Sequence, residues 1–165
     1  MAMNSAKMTI LSTIQSARKE RRALLAVLVD PDKEDAYLHL LTCLEGVDLV
    51  FVGGSTGSRV EECLSLLRAH TKAPLVLFPG NVAQFTPKAD ALLFLSLLNS
   101  RLPQVLIEPH LQVAMEVKQS GIETIPMGYI LIDGHRKSAV EIVANCHPLA
   151  NQDLSAIVRH AVAGQ

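Results

Sequence analysis

The sequence lacks the features of several large classes of protein. Fifteen Lys and Arg face sixteen Asp and Glu, so the formal charge is −1 and there is no basic surplus to attract nucleic acid. The longest uninterrupted apolar run is the seven residues from Ala23 to Val29, far short of the roughly 18 to 20 needed to cross a bilayer. We therefore predict no nucleic-acid partner and no integral membrane segment.

Cysteine and histidine are few and lack the spacings of disulfide frameworks or metal sites. Cys43, Cys63 and Cys146 are an odd set far apart in the chain, so they indicate neither a disulfide framework nor a zinc site. The six histidines show no H-E-x-x-H or other ligand spacing. These absences favour reduced cysteines in a cytoplasmic protein.

The chain does carry enough apolar side chains to bury a large core. Of its 165 residues, 49% are apolar and 19% are charged, and the mean hydropathy is +0.28. This composition is typical of a globular domain rather than of a disordered or fibrous chain. We predict that residues 1–165 form a single domain that begins with a short amphipathic helix, on which Met8, Leu11, Ile14 and Ala17 recur at helical spacing.

Short runs of Val, Leu and Phe alternate with amphipathic stretches, a pattern typical of βα units around a parallel sheet. Strands are predicted at residues 24–29, 49–52, 75–78 and 92–95, with a less clear fifth at 125–132. Helices are predicted at residues 33–45, 60–67, 105–118 and 151–163.

The spacing of the strands limits the architecture without deciding it. Successive strand starts are 25, 26, 17 and about 33 residues apart, so the third crossover leaves little room for a full helix. A (β/α)₈ barrel takes roughly 31 residues per unit, which gives about five units here. Five strands also complete an open, doubly wound sheet of the flavodoxin type. Periodicity alone leaves both architectures open.

Polar and glycine-rich segments follow four of the predicted strands, where both architectures place ligands. They are Asp30-Pro31-Asp32-Lys33, Gly53-Gly54-Ser55-Thr56-Gly57, Pro79-Gly80-Asn81 and Asn99-Ser100-Arg101. We therefore expect carboxylate, hydroxyl, amide and guanidinium groups around one rim of the domain.

The first two of these segments suit magnesium and phosphate. Asp30 directly follows seven apolar residues, and its carboxylate, with the Ser55 hydroxyl, suits Mg²⁺ that also binds phosphate oxygens. Glycines between a strand and a helix let backbone N–H groups approach a phosphate. Each feature has a structural alternative: Asp30 as the turn residue before Pro31, and the glycine segment as a tight turn capped by Ser or Thr.

Gly80, Asn81 and Tyr129 each have both a structural and a functional interpretation. Gly80 and Asn81 are interpreted first as a turn, with an amide that donates to a ligand as the alternative. Tyr129 lies inside the fifth apolar run. It is either a hydroxyl aimed into a cleft or a core tyrosine whose hydroxyl is satisfied.

Five motifs together resemble one enzyme family. They are Leu28-Val29-Asp30-Pro31-Asp32-Lys33, Val52-Gly53-Gly54-Ser55, Leu77-Phe78-Pro79-Gly80-Asn81, and the segments at residues 89–99 and 125–133. Their order and spacing resemble those of the geranylgeranylglyceryl phosphate synthase family. The similarity runs from about residue 24 to residue 161. That family includes the bacterial heptaprenylglyceryl phosphate synthases.

The resemblance implies a TIM-like (β/α)₈ barrel with a reduced third helix, of which residues 1–165 are the N-terminal portion, an incomplete barrel of about five βα units. It implies a Mg²⁺-dependent prenyltransferase that moves a prenyl group from a prenyl diphosphate to the sn-3 hydroxyl of sn-glycerol 1-phosphate. The product is an ether used in phospholipid synthesis. The open sheet edges of a partial barrel further predict a homo-oligomer.

The same resemblance implies roles for individual residues. By motif match, Asp30 and Ser55 are the magnesium ligands and Tyr129 is the catalytic tyrosine near the glycerol phosphate. The implied substrate-binding residues are Gly53, Gly54, Gly80, Asn81 and Asn99. Alternatives remain open: a non-catalytic module that binds diphosphate and Mg²⁺, a half-barrel that needs strands six to eight, or an independent flavodoxin-like phosphate binder.

Overall fold

The structure of the protein is a computed structural model that describes residues 8–33, 38–54 and 57–165. Ser55, Thr56 and residues 34–37 of the helix predicted at 33–45 lie outside the described residues. Within the three described ranges, no helix is long and apolar enough to span a membrane.

A five-stranded parallel sheet forms the centre of the domain. Its strands are β1 (Ala26–Val29), β2 (Leu49–Val52), β3 (Leu75–Leu77), β4 (Ala91–Leu97) and β5 (Glu123–Tyr129), and they lie side by side in chain order. Strands of a (β/α)₈ barrel follow chain order, whereas the flavodoxin type has the order 2-1-3-4-5. The barrel prediction is confirmed, and the doubly wound alternative is wrong.

The register of the sheet aligns the carboxyl ends of the first three strands. Val29 pairs with Val52, and Val52 pairs with Leu77, so the residues that follow these strands lie in one row. Leu77 pairs with Leu92, but β4 continues to Leu97 and therefore runs past that row. At about 3.3 Å per residue, the extra length is roughly 16 Å along the strand.

Helices and 3₁₀ turns connect the strands. They are α1 (Ile10–Lys19), α2 (Val60–His70), α3 (Pro103–Leu106), α4 (Glu108–Ser120), α5 (Ala139–Val143) and α6 (Leu154–Ala163), with 3₁₀ turns at Leu41–Cys43 and Val82–Gln84. Buried residues of α2 follow the i, i+3, i+4, i+7 spacing that predicts this helix. The crossover from β3 to β4 contains only the second 3₁₀ turn, so the prediction of a short third crossover is confirmed.

The predicted N-terminal helix is confirmed as α1. Ile10, Leu11 and Ile14 pack against a buried cluster of side chains from β2 to β5, and Ala17 is only 1% exposed. The backbone N–H groups of Ile10 and Leu11 each donate to the Glu123 carboxylate at 2.8 Å. The first N–H groups of a helix have no acceptor inside the helix, so this carboxylate satisfies them.

The single helix predicted at residues 105–118 is wrong, because two helices occupy this stretch. Ile107, with φ −132°, separates α3 from α4. Pro109 has no N–H to continue the hydrogen-bond ladder, and its ring excludes the carbonyl four residues earlier. A new helix therefore begins at Glu108, with Pro109 in its first turn, and α4 ends as expected at Ser120, before the left-handed Gly121.

Candidate active site

The carboxylate of Asp30 lies at the C-terminal end of β1. The Asp30 carbonyl accepts the N–H of Lys33 at 3.0 Å, and Asp30 Oδ1 accepts the N–H of Asp32 at 3.1 Å. Asp30 Oδ2 lies 3.4 Å from Lys33 Nζ, and 22% of the Asp30 side chain is exposed. Asp30 is thus a turn residue, as the structural alternative predicts, and its carboxylate is also partly open to a ligand.

Two glycines at the end of β2 let the backbone approach its neighbours closely. A Cβ on Gly54 would lie 2.4 Å from Asp30 Oδ1, and a Cβ on Gly53 would lie 1.9 Å from the carbonyl oxygen of Phe78. No side chain fits at either residue, because non-bonded carbon and oxygen atoms stay more than about 3 Å apart. The Asp30 carboxylate and the backbone of Gly53 and Gly54 therefore form one continuous surface.

The 3₁₀ turn after β3 is joined to Gly57 by the side chain of Gln84. The Gln84 side chain is 1% exposed, donates from Nε2 to the Gly57 carbonyl at 2.9 Å, and accepts the Gly80 N–H on Oε1 at 2.8 Å. Asn81 begins the turn, and its Oδ1 accepts the N–H of Ala83 at 3.0 Å. Gly80 and Asn81 therefore form a turn, as their first interpretation predicts.

Asn99 fixes the segment that follows β4. Its Nδ2 donates to the carbonyls of Leu131 and His147 at 3.1 Å each, and its Oδ1 accepts the Leu131 N–H at 3.0 Å. Both hydrogens of the Asn99 amide are therefore engaged by the backbone. The structure brings Asn99 to the segments that follow β5 and α5, and its role in substrate binding stays a prediction.

An apolar cavity of about 270 Å³ lies beside the turn after β3. Gly80, Asn81 and Tyr129 are the predicted site residues that line it. Apolar side chains supply most of the remaining lining, among them Val82, Phe85, Leu93, Leu95, Val105, Val113, Val140 and Val143. A cavity with this lining suits a hydrocarbon chain whose polar end lies near Gly80.

Tyr129 lies at the end of β5 on the wall of this cavity. Burial raises the pKa of its phenol, and the nearby Cys146 thiol adds to that shift. The hydroxyl therefore keeps its proton at neutral pH and is able to donate a hydrogen bond. Burial also raises the pKa of Cys63 to about 11, so that thiol is protonated and unreactive.

A divalent cation at this site would be held mainly by Asp30. In the described parts of the chain, no group of three or more His, Cys, Asp and Glu residues could hold a metal. Mg²⁺ does not need such a cluster, since it is commonly bound by one or two carboxylates with substrate phosphate oxygens and water. The partly open Asp30 carboxylate on the bare Gly54 backbone fits that arrangement, whereas Ser55 lies outside the described residues.

Known sequences that are similar to this chain point to one family. A profile of the PcrB family matches residues 15–165. A geranylgeranylglyceryl phosphate synthase of Zunongwangia profunda is 40% identical over 160 residues, which cover 94% of this chain and 68% of the relative. A geranylgeranylglyceryl phosphate synthase of Korarchaeum cryptofilum is 35% identical over 161 residues, which cover 94% of this chain and 66% of the relative.

Comparison with solved structures gives the same result. The crystal structure of (S)-3-O-geranylgeranylglyceryl phosphate synthase from Thermoplasma acidophilum, in complex with its substrate sn-glycerol-1-phosphate, matches with a TM-score of 0.82 at 31% identity. The match covers 96% of this chain and 66% of that chain, so this chain spans about two thirds of the length of the proteins it matches. The resemblance carried by the five motifs is confirmed, and the chain belongs to the PcrB family.

Proposed function

We propose that this protein is a Mg²⁺-dependent prenyltransferase, which transfers a prenyl group from a prenyl diphosphate to the sn-3 hydroxyl of sn-glycerol 1-phosphate. The observation that carries the proposal is the continuity between a carboxylate on bare backbone and an apolar cavity. Gly80 belongs to both parts, since it lines the cavity and is joined through Gln84 to Gly57. Relatives named geranylgeranylglyceryl phosphate synthase, one of them solved with sn-glycerol-1-phosphate, support the choice of substrates.

The polar part of the site would bind the diphosphate. The N–H of Gly53 donates to the Val29 carbonyl at 3.0 Å, and that of Gly80 donates to Gln84. Gly53 therefore acts by allowing close backbone approach, and phosphate contacts would fall to the backbone N–H of Gly54. Lys33, beside the Asp30 carboxylate, adds a positive charge near the phosphates.

The apolar cavity would hold the prenyl tail. Burial of apolar surface contributes roughly 25 cal/mol per Å², so a long hydrocarbon gains much of its affinity there. The cavity also keeps water from the allylic carbon, where positive charge develops as the carbon–oxygen bond to diphosphate breaks. Selective transfer to the glycerol hydroxyl requires this exclusion, because water would otherwise compete as the nucleophile.

The new ether bond forms between the allylic carbon and the sn-3 oxygen of the acceptor as the bond from that carbon to diphosphate breaks, and the hydroxyl proton passes to the departing diphosphate. Because Tyr129 keeps its proton at neutral pH, its role is to donate a hydrogen bond that orients the acceptor rather than to remove the proton. Mg²⁺, held by Asp30 and Ser55, would supply positive charge that offsets the charge of the departing diphosphate.

The extent and assembly of the domain are part of the same proposal. Residues 1–165 form one domain that corresponds to the N-terminal portion of a prenyltransferase barrel. β1 and β5 are the edges of the described sheet, and Leu28 on β1 is 50% exposed. Leu154, Val158 and Val162 form an exposed apolar stripe along α6. Surfaces of this kind favour association, so the chains would form a homo-oligomer.

A transfer assay tests the proposed function. The purified 165-residue chain is incubated with sn-glycerol 1-phosphate, Mg²⁺ and prenyl diphosphates of several lengths, and prenylglyceryl phosphate is detected by mass spectrometry. We expect product from the wild-type chain and none from Asp30→Ala. Absence of product, together with Mg²⁺-dependent binding of prenyl diphosphate, would contradict catalysis by this chain and favour the non-catalytic binding module.

A further inference from the structure

Gln84 joins two loops that are far apart in the sequence. Its hydrogen bond to the Gly57 carbonyl spans 27 residues, and its second bond, from the Gly80 N–H, lies within its own loop. A backbone carbonyl only accepts and a backbone N–H only donates, so the orientation of the buried amide is fixed. Glutamine is one of the few side chains of this length that accept and donate at the same time.

The contacts of Gln84 continue to the Asp30 carboxylate. A Cβ on Gly57 would lie 3.0 Å from Asp32 Oδ1, so the Gly57 backbone packs directly against Asp32. The N–H of Asp32 in turn donates to Asp30 Oδ1 at 3.1 Å. Gln84, Gly57, Asp32 and Asp30 therefore form one continuous set of contacts across the ends of β3, β2 and β1.

The turn that carries Gln84 also forms part of the cavity wall. Val82 and Phe85, on either side of Gln84, both line the apolar cavity. A shift of this turn would move the cavity wall and the end of the glycine segment together. The two parts of the candidate site are thus connected through one short segment.

We infer that Gln84 is a positioning residue that holds the backbone of Gly57 in place relative to the cavity and, through Asp32, relative to Asp30. This inference rests on the proposed function, since it assigns Gln84 to the alignment of a diphosphate with its hydrocarbon tail. Gln84 does not touch the reacting atoms. It acts through Gly57, whose carbonyl it holds, and through Gly80, whose N–H it accepts.

Two substitutions of similar size separate the roles of the amide. Gln84→Met keeps the length of the side chain but removes both hydrogen bonds, so the carbonyl of Gly57 and the N–H of Gly80 lose their partner. Gln84→Glu keeps an acceptor for Gly80. When ionised, however, it does not donate to Gly57 and places a negative charge beside the phosphate segment.

Thr86 provides a matched control in the same loop. It is 3% exposed, and its Oγ1 donates to Glu61 Oε1 at 2.7 Å. This bond fastens the loop to the first turn of α2 and not to the carbonyl of Gly57. Thr86→Val therefore removes a partly buried hydrogen bond of the same loop without releasing Gly57.

Calorimetric binding of inorganic diphosphate in the presence of Mg²⁺ tests the inference, with the thermal unfolding midpoint measured for each variant. We expect Gln84→Met to weaken diphosphate binding about tenfold, and Gln84→Glu to weaken it further. We expect Thr86→Val to lower the unfolding midpoint about as much as Gln84→Met does. Its affinity for diphosphate should nevertheless stay within about twofold of the wild type.

The outcomes separate this inference from the proposed function. Gln84 variants that lose stability but bind diphosphate like the wild type would overturn the positioning role. If Gln84→Met does not unfold cooperatively, Gln84→Glu decides, since it keeps the size and one hydrogen bond of the original side chain. A wild-type chain that binds no diphosphate would overturn the proposed function itself, and the inference with it.

Discussion

The polar and apolar parts of the candidate site differ in what they are made of. The polar part consists of one carboxylate on a backbone from which side chains are excluded at Gly53 and Gly54. The apolar part consists of side chains from β4, α3, α4 and α5, together with Val82 and Phe85 of the turn after β3 and Tyr129 of β5, around a cavity of about 270 Å³. A bare backbone tolerates no added atom, whereas a cavity tolerates changes of volume in proportion to their size. Substitutions should therefore act abruptly in the polar part and gradually in the apolar part.

Asp30→Asn should have the largest effect. The variant keeps the oxygen that accepts the Asp32 N–H and therefore keeps the turn, but it removes the negative charge. We expect the rate of prenyl transfer to fall at least about a hundredfold. The lost charge stabilises the transition state by several kcal/mol, and about 1.4 kcal/mol corresponds to a factor of ten in rate. The unfolding midpoint serves as the control and should change little. A variant with a rate close to that of the wild type would show that the carboxylate only builds the turn.

Gly54→Ala should have the next largest effect. The new methyl carbon would overlap Asp30 Oδ1, at 2.4 Å, and would displace the carboxylate or the loop. We expect Mg²⁺-dependent diphosphate binding, measured by calorimetry, to weaken at least about tenfold. Gly134→Ala is the matched control, because a Cβ on Gly134 meets no atom within 4 Å. Equal affinities for the two variants would mean that the Gly54 surface does not bind phosphate.

Val113→Phe should have a smaller and length-dependent effect. Val113 lies on α4 and lines the cavity, so a larger side chain shortens the space for a hydrocarbon. Each methylene left unburied costs about 0.8 kcal/mol, or roughly fourfold in affinity. We expect weaker binding of a twenty-carbon prenyl diphosphate and unchanged binding of inorganic diphosphate. Val113→Ala, which enlarges the cavity, is the control. Equal losses for both ligands would contradict the division into two parts.

Alkaline pH should have the smallest effect, a change in stability caused by ionisation of the buried Cys63 thiol near Asp30. Burial raises the pKa of Cys63 from 9.0 to about 11, and the charge of Asp30 adds to the shift while Arg59 opposes it. The buried thiol therefore stabilises the fold below pH about 9, and this contribution is lost as the pH rises through about 11. We expect the unfolding midpoints of wild type and Cys63→Ala to converge between these values. A constant difference across that range would contradict the shift.

Much of the fold could be predicted from the sequence, because local patterns determine it. The bounds of β2 match the prediction, and the buried residues of α2 follow the predicted spacing. One error was local, since the helix predicted at residues 105–118 passed over the break at Pro109. Another arose where a distant contact decides the structure. Glu123 begins β5 two residues before the predicted start. Its carboxylate accepts the first N–H groups of α1, more than 100 residues away in the chain. No local pattern reveals such a contact.

The candidate site was predictable only where it follows the strand ends. Asp30, Gly53 and Gly54 could be named because polar residues after buried strands gather at one edge of a parallel sheet. Gln84 could not, because its partner Gly57 belongs to another loop and a glutamine in a turn carries no signal of its own. Asn99 follows a strand in the same way, yet its amide is used to hold the carbonyls of Leu131 and His147.

A displacement experiment tests most directly whether the two parts form one site. Binding of a twenty-carbon prenyl diphosphate to the wild-type chain is measured by calorimetry with Mg²⁺, alone and in the presence of saturating inorganic diphosphate. We predict that the prenyl diphosphate binds more tightly than inorganic diphosphate, because its tail enters the cavity, and that inorganic diphosphate competes with it. Simultaneous binding of both ligands, or equal affinities with and without the tail, would contradict the account.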